Sequence, residues 1–404
     1  MMAPVSLYLH FPFCRQRCTY CDFNTYAGKE DLVGAYLEAL AVEMRRLAQT
    51  APRRLTVHTI YFGGGTPSLA PLAGLEKVLQ VVHEGFTVLP DAEVTLEANP
   101  GTLTLDYLRG LRALGVNRLS LGVQAARPEA LRLLGRIHDY FAVTQSVAWA
   151  RRAGFANLNL DLIYGLPHQT LVDWQRTVDL ALGLHPEHLS LYALTLEHGT
   201  PLAAWVARGL VSPPDEDLAA TMYEWAGGRL SQAGYRQYEI SNWAQEGYAC
   251  RHNLQYWRNE PYLGLGAGAH GWIAGVRTVS VRAPEAYLRR MREARASLPF
   301  PQTPATVEAR RLSPAEAMEI TMMMGLRLTE EGVSRQAFRR RFGVDLTEGY
   351  AEPIARLLKW GLLEWVGRGD SARLRLTPRA YLLGNVVFRE FIGYLEERDH
   401  VILS

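Results

Sequence analysis

Apolar residues follow two alternating rhythms over about the first two hundred residues of this chain. Short, largely apolar runs are SLYLHF from Ser6, HTIYF from His58, EVTLEA from Glu93, RLSLGV from Arg118, NLNLDLIYG from Asn157 and HLSLYALTL from His188. Between them lie longer stretches with apolar positions three and four apart, such as DLVGAYLEALAVEMRRLA from Asp31 and LVDWQRTVDLALGL from Leu171. The first rhythm suits strands and the second suits helices. Their regular alternation predicts parallel strands joined by right-handed crossovers, because a helix returning the chain to the same sheet packs well only in that hand. Six such strands predict an α/β fold, a partial (β/α)6 barrel, with a doubly wound sheet as the alternative.

Several strand runs end in polar or glycine-rich segments: FPFCRQRC, GGGTPS, EANPG, GVQ and YGLP. In parallel βα architectures the C-terminal strand ends share one functional face, so residues distant in sequence meet there. Each segment alone reads as an ordinary turn; their recurrence at equivalent positions predicts a site. Around Pro201–Pro214 the alternation stops, and a less regular region containing YEISNWAQ, GYACRHNLQYW and PYLGLGAGAHGW runs to about Ala305. From Ser313 the pattern is helical and then forms a hairpin, GLLEWVGRGDSARLRLT, turning around Arg368–Ser371. The predicted domains are a barrel over residues 1–200, a barrel extension over 201–305 and a winged-helix-like, mostly helical domain over 306–404.

Composition narrows the function. Of 404 residues 48% are hydrophobic, enough for a large core. The 43 basic and 41 acidic residues leave a net charge of +2, which is no electrostatic footprint for nucleic acid or an anionic membrane. Arg335, Arg339, Arg340 and Arg341 cluster on the winged-helix-like tail and read as a solvated helix face. No apolar run reaches the roughly 18 residues that span a bilayer, and MMAPVSLYLHF lacks the basic start and cleavage site of a signal peptide. Three of the four cysteines are clustered, a pattern for metal binding in a reducing compartment rather than a disulfide framework. The expectation is a cytoplasmic protein without a transmembrane segment or a nucleic-acid partner.

The cluster is Cys14, Cys18 and Cys21, in a loop that Arg15, Gln16 and Arg17 mark as exposed. Structural zinc would need a fourth ligand, with His10 or Cys250 as candidates. Iron–sulfur chemistry makes use of the missing ligand. Three thiolates leave one iron of a cubane open, and the amino and carboxylate groups of S-adenosylmethionine can chelate it. That places the sulfonium where it can accept an electron and release a 5′-deoxyadenosyl radical.

The C-x3-C-x2-C spacing, with Tyr20 just before the third cysteine, resembles the radical S-adenosylmethionine superfamily, and GGGTP at Gly63–Pro67 strengthens the likeness. It extends over nearly the whole chain: YLHFPFC, GGGTPSL, LEANPGT, NRLSLGVQ, LGRIH, NLDLIYGLP, HNLQYW and the Ser313–Ile392 tail resemble the coproporphyrinogen oxidase-like group. The resemblance implies a 4Fe–4S cluster on Cys14, Cys18 and Cys21. It also implies S-adenosylmethionine contacts at Tyr8, Tyr20, Gly64, Gly65, Thr66, Glu97, Gln124, Arg136 and Asp161. Carboxylates suit the ribose hydroxyls and a guanidinium suits the cofactor's carboxylate, although helix caps and surface ion pairs use the same residue types.

Two features separate the chain from the oxygen-independent coproporphyrinogen III oxidase. That enzyme's motif continues to a further cysteine two residues after the third, where this chain has Phe23. HNLQYW at His252–Trp257 matches the HNxxYW signature of the group's heme chaperone branch. An imidazole can ligate heme iron and aromatic rings can cover a porphyrin, so His252 is the candidate heme ligand, with a hydrogen-bonded structural histidine as the alternative. The implied partners are heme, heme-accepting proteins of unknown identity and an electron donor for the cluster. The competing activities are radical decarboxylation of coproporphyrinogen III and radical chemistry on another tetrapyrrole.

Overall fold

A computed structural model describes residues 3–395. The chain forms two compact units: residues 1–234 with 261–310, and residues 235–260 with 311–404. These units interleave, whereas the pattern along the sequence suggested three consecutive segments.

The six strand runs become β1 (Val5–Phe11), β2 (Thr56–Gly64), β3 (Thr87–Ala98), β4 (Arg118–Gln124), β5 (Leu158–Tyr164) and β6 (His188–Ala193). They lie in that order in one sheet, each parallel to the next. This is the partial (β/α)6 arrangement, not the doubly wound order, in which the first strand would sit inside the row. A further strand, β7 (Tyr262–Leu265), pairs parallel with the free side of β1, and His270–Ile273 and Val276–Ser280 continue antiparallel beyond it. No apolar alternation distinguishes YLGL, so β7 is found only through its pairing.

Leu7, Leu9, Ile60, Leu96, Leu119, Leu121, Leu160, Leu162 and Leu189 are almost fully buried. Helix Val33–Thr50 sinks Tyr36, Leu37, Leu40, Met44 and Leu47 from one stripe. Each such side chain contributes about 1.5–3 kcal/mol on burial. The helix Leu171–Leu182 starts at a capping box, with Thr170 accepting from the Asp173 N–H and the Asp173 carboxylate accepting from the Thr170 N–H.

In the second unit, helices Pro314–Gly325, Arg335–Phe342 and Ala351–Lys359 pack with the hairpin Leu363–Val366/Arg373–Leu376, the expected winged-helix-like pattern. Phe338, Tyr350, Leu357 and Leu374 form its core. Residues 235–260 join this unit through specific bonds. Thr329 N–H donates to the Tyr238 carbonyl (3.2 Å), Arg327 pairs with the buried Glu239 (3.2 Å), and Arg341 donates to the Asn259 carbonyl (2.8 Å). Within the arginine cluster, Arg335 pairs with Asp345 (2.8 Å) and Arg339 with Asp370 (2.6 Å).

Candidate functional site

The C-terminal ends of the parallel strands enclose a cleft of about 380 Å³. Strand register explains what lines it. Tyr8 pairs with Tyr61, Glu97 with Ser120, and Asp161 with Gly122 on one side and Ser190 on the other. Side chains alternate along each strand, so matched register turns these groups to one face. Of the residues the sequence singled out in this unit, Cys14, Cys18, Cys21, Tyr20, Gly64, Gly65, Thr66, Glu97, Gln124, Arg136 and Asp161 all line the cleft. Tyr8 stacks against one of its walls, the Tyr61 ring, at 6.2 Å.

The cysteine loop leaves β1 through Phe13–Cys14, which pairs with Tyr26–Ala27. Its middle is pinned to the turn before Arg136. Thr19 donates through N–H to the Leu134 carbonyl (3.1 Å) and through its hydroxyl to the Leu133 carbonyl (2.7 Å). Burial pushes the Cys14 thiol up to about 11 and raises Cys21 as well. These thiols are therefore neutral near pH 7 in the absence of a metal, and metal ligation must displace their protons. Thr66 donates to the Cys14 sulfur (3.5 Å) and Arg136 to the Cys18 sulfur (3.4 Å), both poised for thiolates.

The glycines are demanded by packing. Gly64 has φ +118, and a Cβ there would lie 2.5 Å from the His10 ring; one at Gly65 would lie 2.6 Å from the Phe13 carbonyl oxygen. Gly65 and Thr66 donate their N–H groups to the Phe11 and Phe13 carbonyls (both 2.8 Å), so GGGTP is bonded to the root of the cysteine loop. Gln124 ends β4 at φ 66, a left-handed conformation that costs a non-glycine residue roughly 1–3 kcal/mol.

Two carboxylates face the cleft. Glu97 accepts from the Tyr61 hydroxyl (2.8 Å) and the Gly64 N–H (3.0 Å), yet burial, helped by the nearby Asp161, raises it to about 7. Asp161 accepts from Asn159 (2.8 Å) and Ser120 (3.0 Å) and is also raised by burial. Arg136 donates one guanidinium nitrogen to the Gly122 carbonyl (2.8 Å), while its buried Nε has no hydrogen-bond partner. An unsatisfied buried donor beside thiols and carboxylates suits an anionic ligand group.

Among the described residues no three His, Cys, Asp or Glu side chains converge tightly enough to hold a single metal ion. The three thiols instead border one cleft, as ligands to separate irons of a cubane would, whereas a zinc ion needs sulfurs at about 2.3 Å from one point. The donor set thus fits a 4Fe–4S cluster with an adjoining cofactor. His10, proposed as a zinc ligand, is engaged elsewhere: its Nε2 meets the Asn24 carbonyl (3.0 Å) and its Nδ1 the Tyr8 hydroxyl (2.9 Å).

Comparison with known proteins agrees with this geometry. The Radical SAM superfamily model matches residues 8–181, and the HemN C-terminal domain model matches residues 312–383. The heme chaperone HemW of Synechocystis sp. is 39% identical over 371 residues, covering 90% of this chain and 87% of that protein. The chain belongs to the HemW family. The heme chaperone HemW of Bacillus subtilis is 38% identical over 392 residues, covering 96% of this chain and all of that protein. The solved coproporphyrinogen III oxidase from Escherichia coli, described as a radical SAM enzyme, superposes with a TM-score of 0.81 at 25% identity, covering 98% and 91% of the two chains. HemW-family membership accounts for the fold of both units.

His252 lies in the second unit, on the helix Arg251–Trp257. It is 1% exposed, and its Nε2 is bonded to the Tyr256 hydroxyl at 2.8 Å. Arg327 sits over the Trp257 ring, 4.4 Å from its centroid, and the Trp257 Nε1 is buried without a hydrogen-bond partner. Cys250 is fully buried just before this helix. No helix among the described residues is long and apolar enough to cross a membrane.

Sequence reasoning missed Tyr61, Asn99, Tyr192, Thr195 and Glu197 as lining residues. Tyr61 was within reach, because it sits one side-chain alternation before Gly63 in YFGGG. Tyr192 and Thr195 lie within HLSLYALTL and Glu197 directly follows it, and nothing inside that apolar run marks them as site residues.

Proposed function

We propose that this chain is a cytoplasmic heme chaperone, which binds heme, passes it to acceptor proteins, and carries a 4Fe–4S cluster with S-adenosylmethionine. The observation that carries the reading is the near-full-length identity to relatives named heme chaperones. Phe23 supports it too, standing where the oxidase motif has a further cysteine. The cytoplasm suits a protein whose four cysteines are all free thiols.

Cys14, Cys18 and Cys21 hold the cluster as thiolates. Gly64, Gly65, Thr66 and the Tyr8 and Tyr20 rings border the methionyl part of the cofactor, Glu97, Gln124 and Asp161 receive its ribose hydroxyls, and Arg136 receives its carboxylate. When bound, the cluster supplies one-electron reduction of the sulfonium, and an electron-donor protein supplies the electron. Ile163 and Leu194 add apolar wall to the cleft and would limit water around the bound group. His252 ligates heme iron. Ligation through Nε2 requires the side-chain bond to the Tyr256 hydroxyl to open.

Anaerobic purification with iron, sulfide and heme measured together tests the reading. Cys18→Ala should lose most cluster iron, whereas Cys250→Ala, outside the cleft, should keep it. Stoichiometric zinc in the wild type, or full iron–sulfur content in Cys18→Ala, overturns the cluster assignment. Multiple turnovers of coproporphyrinogen III with reductant and S-adenosylmethionine overturn the chaperone assignment in favour of the oxidase.

A further inference from the structure

The segment GLGAGAHGW, Gly264–Trp272, has no part in the function so far, yet its backbone surrounds the far end of the cysteine loop. Cys14 is held by strand pairing and Cys18 by the bonds of its neighbour Thr19. After Cys21 the loop returns through the Tyr26–Ala27 pairing, and just before that pairing Asn24 ties it to distant segments. Its Nδ2 donates to two carbonyls, Ala267 and Arg282, both at 3.0 Å, and its Oδ1 accepts from the Tyr26 hydroxyl at 3.2 Å. Its backbone carbonyl accepts from His10 Nε2 at 3.0 Å.

That last bond determines a tautomer. A carbonyl only accepts, so His10 carries its proton on Nε2 and its Nδ1 must accept from the Tyr8 hydroxyl. Asn24 therefore connects the cysteine loop to the orientation of Tyr8. The turn that receives Asn24 is itself held: Ala267 N–H donates to the Tyr36 hydroxyl, and Tyr36 donates to the His10 carbonyl, both at 2.8 Å. Gly266 N–H donates to the buried Glu43 carboxylate at 2.8 Å, which also accepts from Tyr287 (2.8 Å) and Thr303 (2.6 Å). Gly268 has φ +79, and a Cβ on it would lie 2.3 Å from Asn24 Nδ2. Glycine is required there because the Asn24 amide occupies the space.

We propose that Asn24 is a positioning residue for the cluster: clasped by the Gly266–Gly268 turn, it sets where Cys21 stands relative to the other two thiols and holds Tyr8 through His10. The inference rests on the cluster reading above. Its test uses the anaerobically reconstituted full chain, with iron and sulfide content, the EPR spectrum of the dithionite-reduced cluster, and the change in that spectrum on titrating S-adenosylmethionine. Asn24→Ala should keep the cluster but alter its EPR line shape, and should need about tenfold more S-adenosylmethionine for the half-maximal change, as expected from losing two amide donors. Asn24→Asp fills the same space without donors and should behave like the Ala variant. Gly268→Ala reaches the same clasp from the other side, and the Asn24→Ala/Gly268→Ala double variant should be no worse than the more affected single variant, because contacting residues couple.

A wild-type EPR spectrum and titration in Asn24→Ala or Asn24→Asp overturns the inference, as do additive effects in the double variant. Should circular dichroism show that Asn24→Ala does not fold, Gly268→Ala alone decides: a shifted spectrum supports the clasp and an unchanged one refutes it. Failure of the parent reading is distinct, since the wild type itself would then bind no iron–sulfur cluster.

Discussion

Glu97 links the cleft's chemistry to pH. Its carboxyl is raised from 4.5 to about 7 chiefly by burial, even though Tyr61 and Gly64 donate to it. A carboxylate accepts from ribose hydroxyls, whereas a protonated carboxyl offers one acceptor fewer and a competing donor. With a pKa of about 7, roughly one molecule in ten is ionised at pH 6. S-adenosylmethionine affinity should therefore be fully present above pH 7 and fall by up to about tenfold between pH 8 and pH 6, or ~1.4 kcal/mol. Glu97→Gln should bind weakly and without that slope. The stability of the cofactor-free protein should run the other way. A raised carboxyl favours the protonated folded state, so stability is greatest below 4.5 and is lost as pH rises to about 7. The full shift corresponds to ~3 kcal/mol, and contact with solvent in the cleft reduces it to about 2 kcal/mol. His138, lowered to about 4 by burial and by the Arg136 charge, gives an opposite slope, but one common to both proteins. Subtraction isolates Glu97. The assays are calorimetric titration of cluster-loaded protein at pH 6, 7 and 8, and urea unfolding of the cofactor-free chain over pH 5–8. Identical pH slopes in wild type and Glu97→Gln would refute the reasoning.

Gly64→Ala should destabilise the chain by about 1–3 kcal/mol, from its left-handed backbone and the clash with His10, while Gly34→Ala, with open space at its Cβ, should stabilise by up to ~1 kcal/mol; thermal melts compare them. Equal midpoints would remove the packing argument for GGGTP. His252→Ala should weaken heme binding and shift the Soret band with cluster content unchanged, and an unaltered titration would move the iron ligand elsewhere. Trp257→Ala should weaken heme binding less, by about 1–3 kcal/mol if stacking on heme resembles base–aromatic stacking, and a larger loss than His252→Ala would reverse their ranks.

The features legible in the sequence were those encoded locally. Short apolar runs against stretches with a period near 3.6 marked all six parallel strands and the helices between them, because burial patterns act within a few residues. The spacing of Cys14, Cys18 and Cys21, the positions of Glu97 and Gln124 at strand ends and that of Asp161 within its strand were visible for the same reason: once strands are parallel, their cleft-facing residues share one face. Tertiary structure decided what depends on distant segments. Asn24 bonds to Ala267, 243 positions away, and nothing in either segment alone announces that contact. The raised carboxyl of Glu97 needs burial by the surrounding chain and the nearby Asp161 from another strand, which together outweigh the opposing bond from Tyr61. The assignment of residues 235–260 to the C-terminal unit rests on bonds such as Arg327–Glu239, across 88 positions. His252 illustrates the boundary between the two sources: its motif was plain in sequence, but its burial and its bond to Tyr256 follow from how the surrounding chain packs. Local pattern selects elements through short-range sterics and burial, whereas register and packing select which side chains meet, and those depend on the whole chain at once.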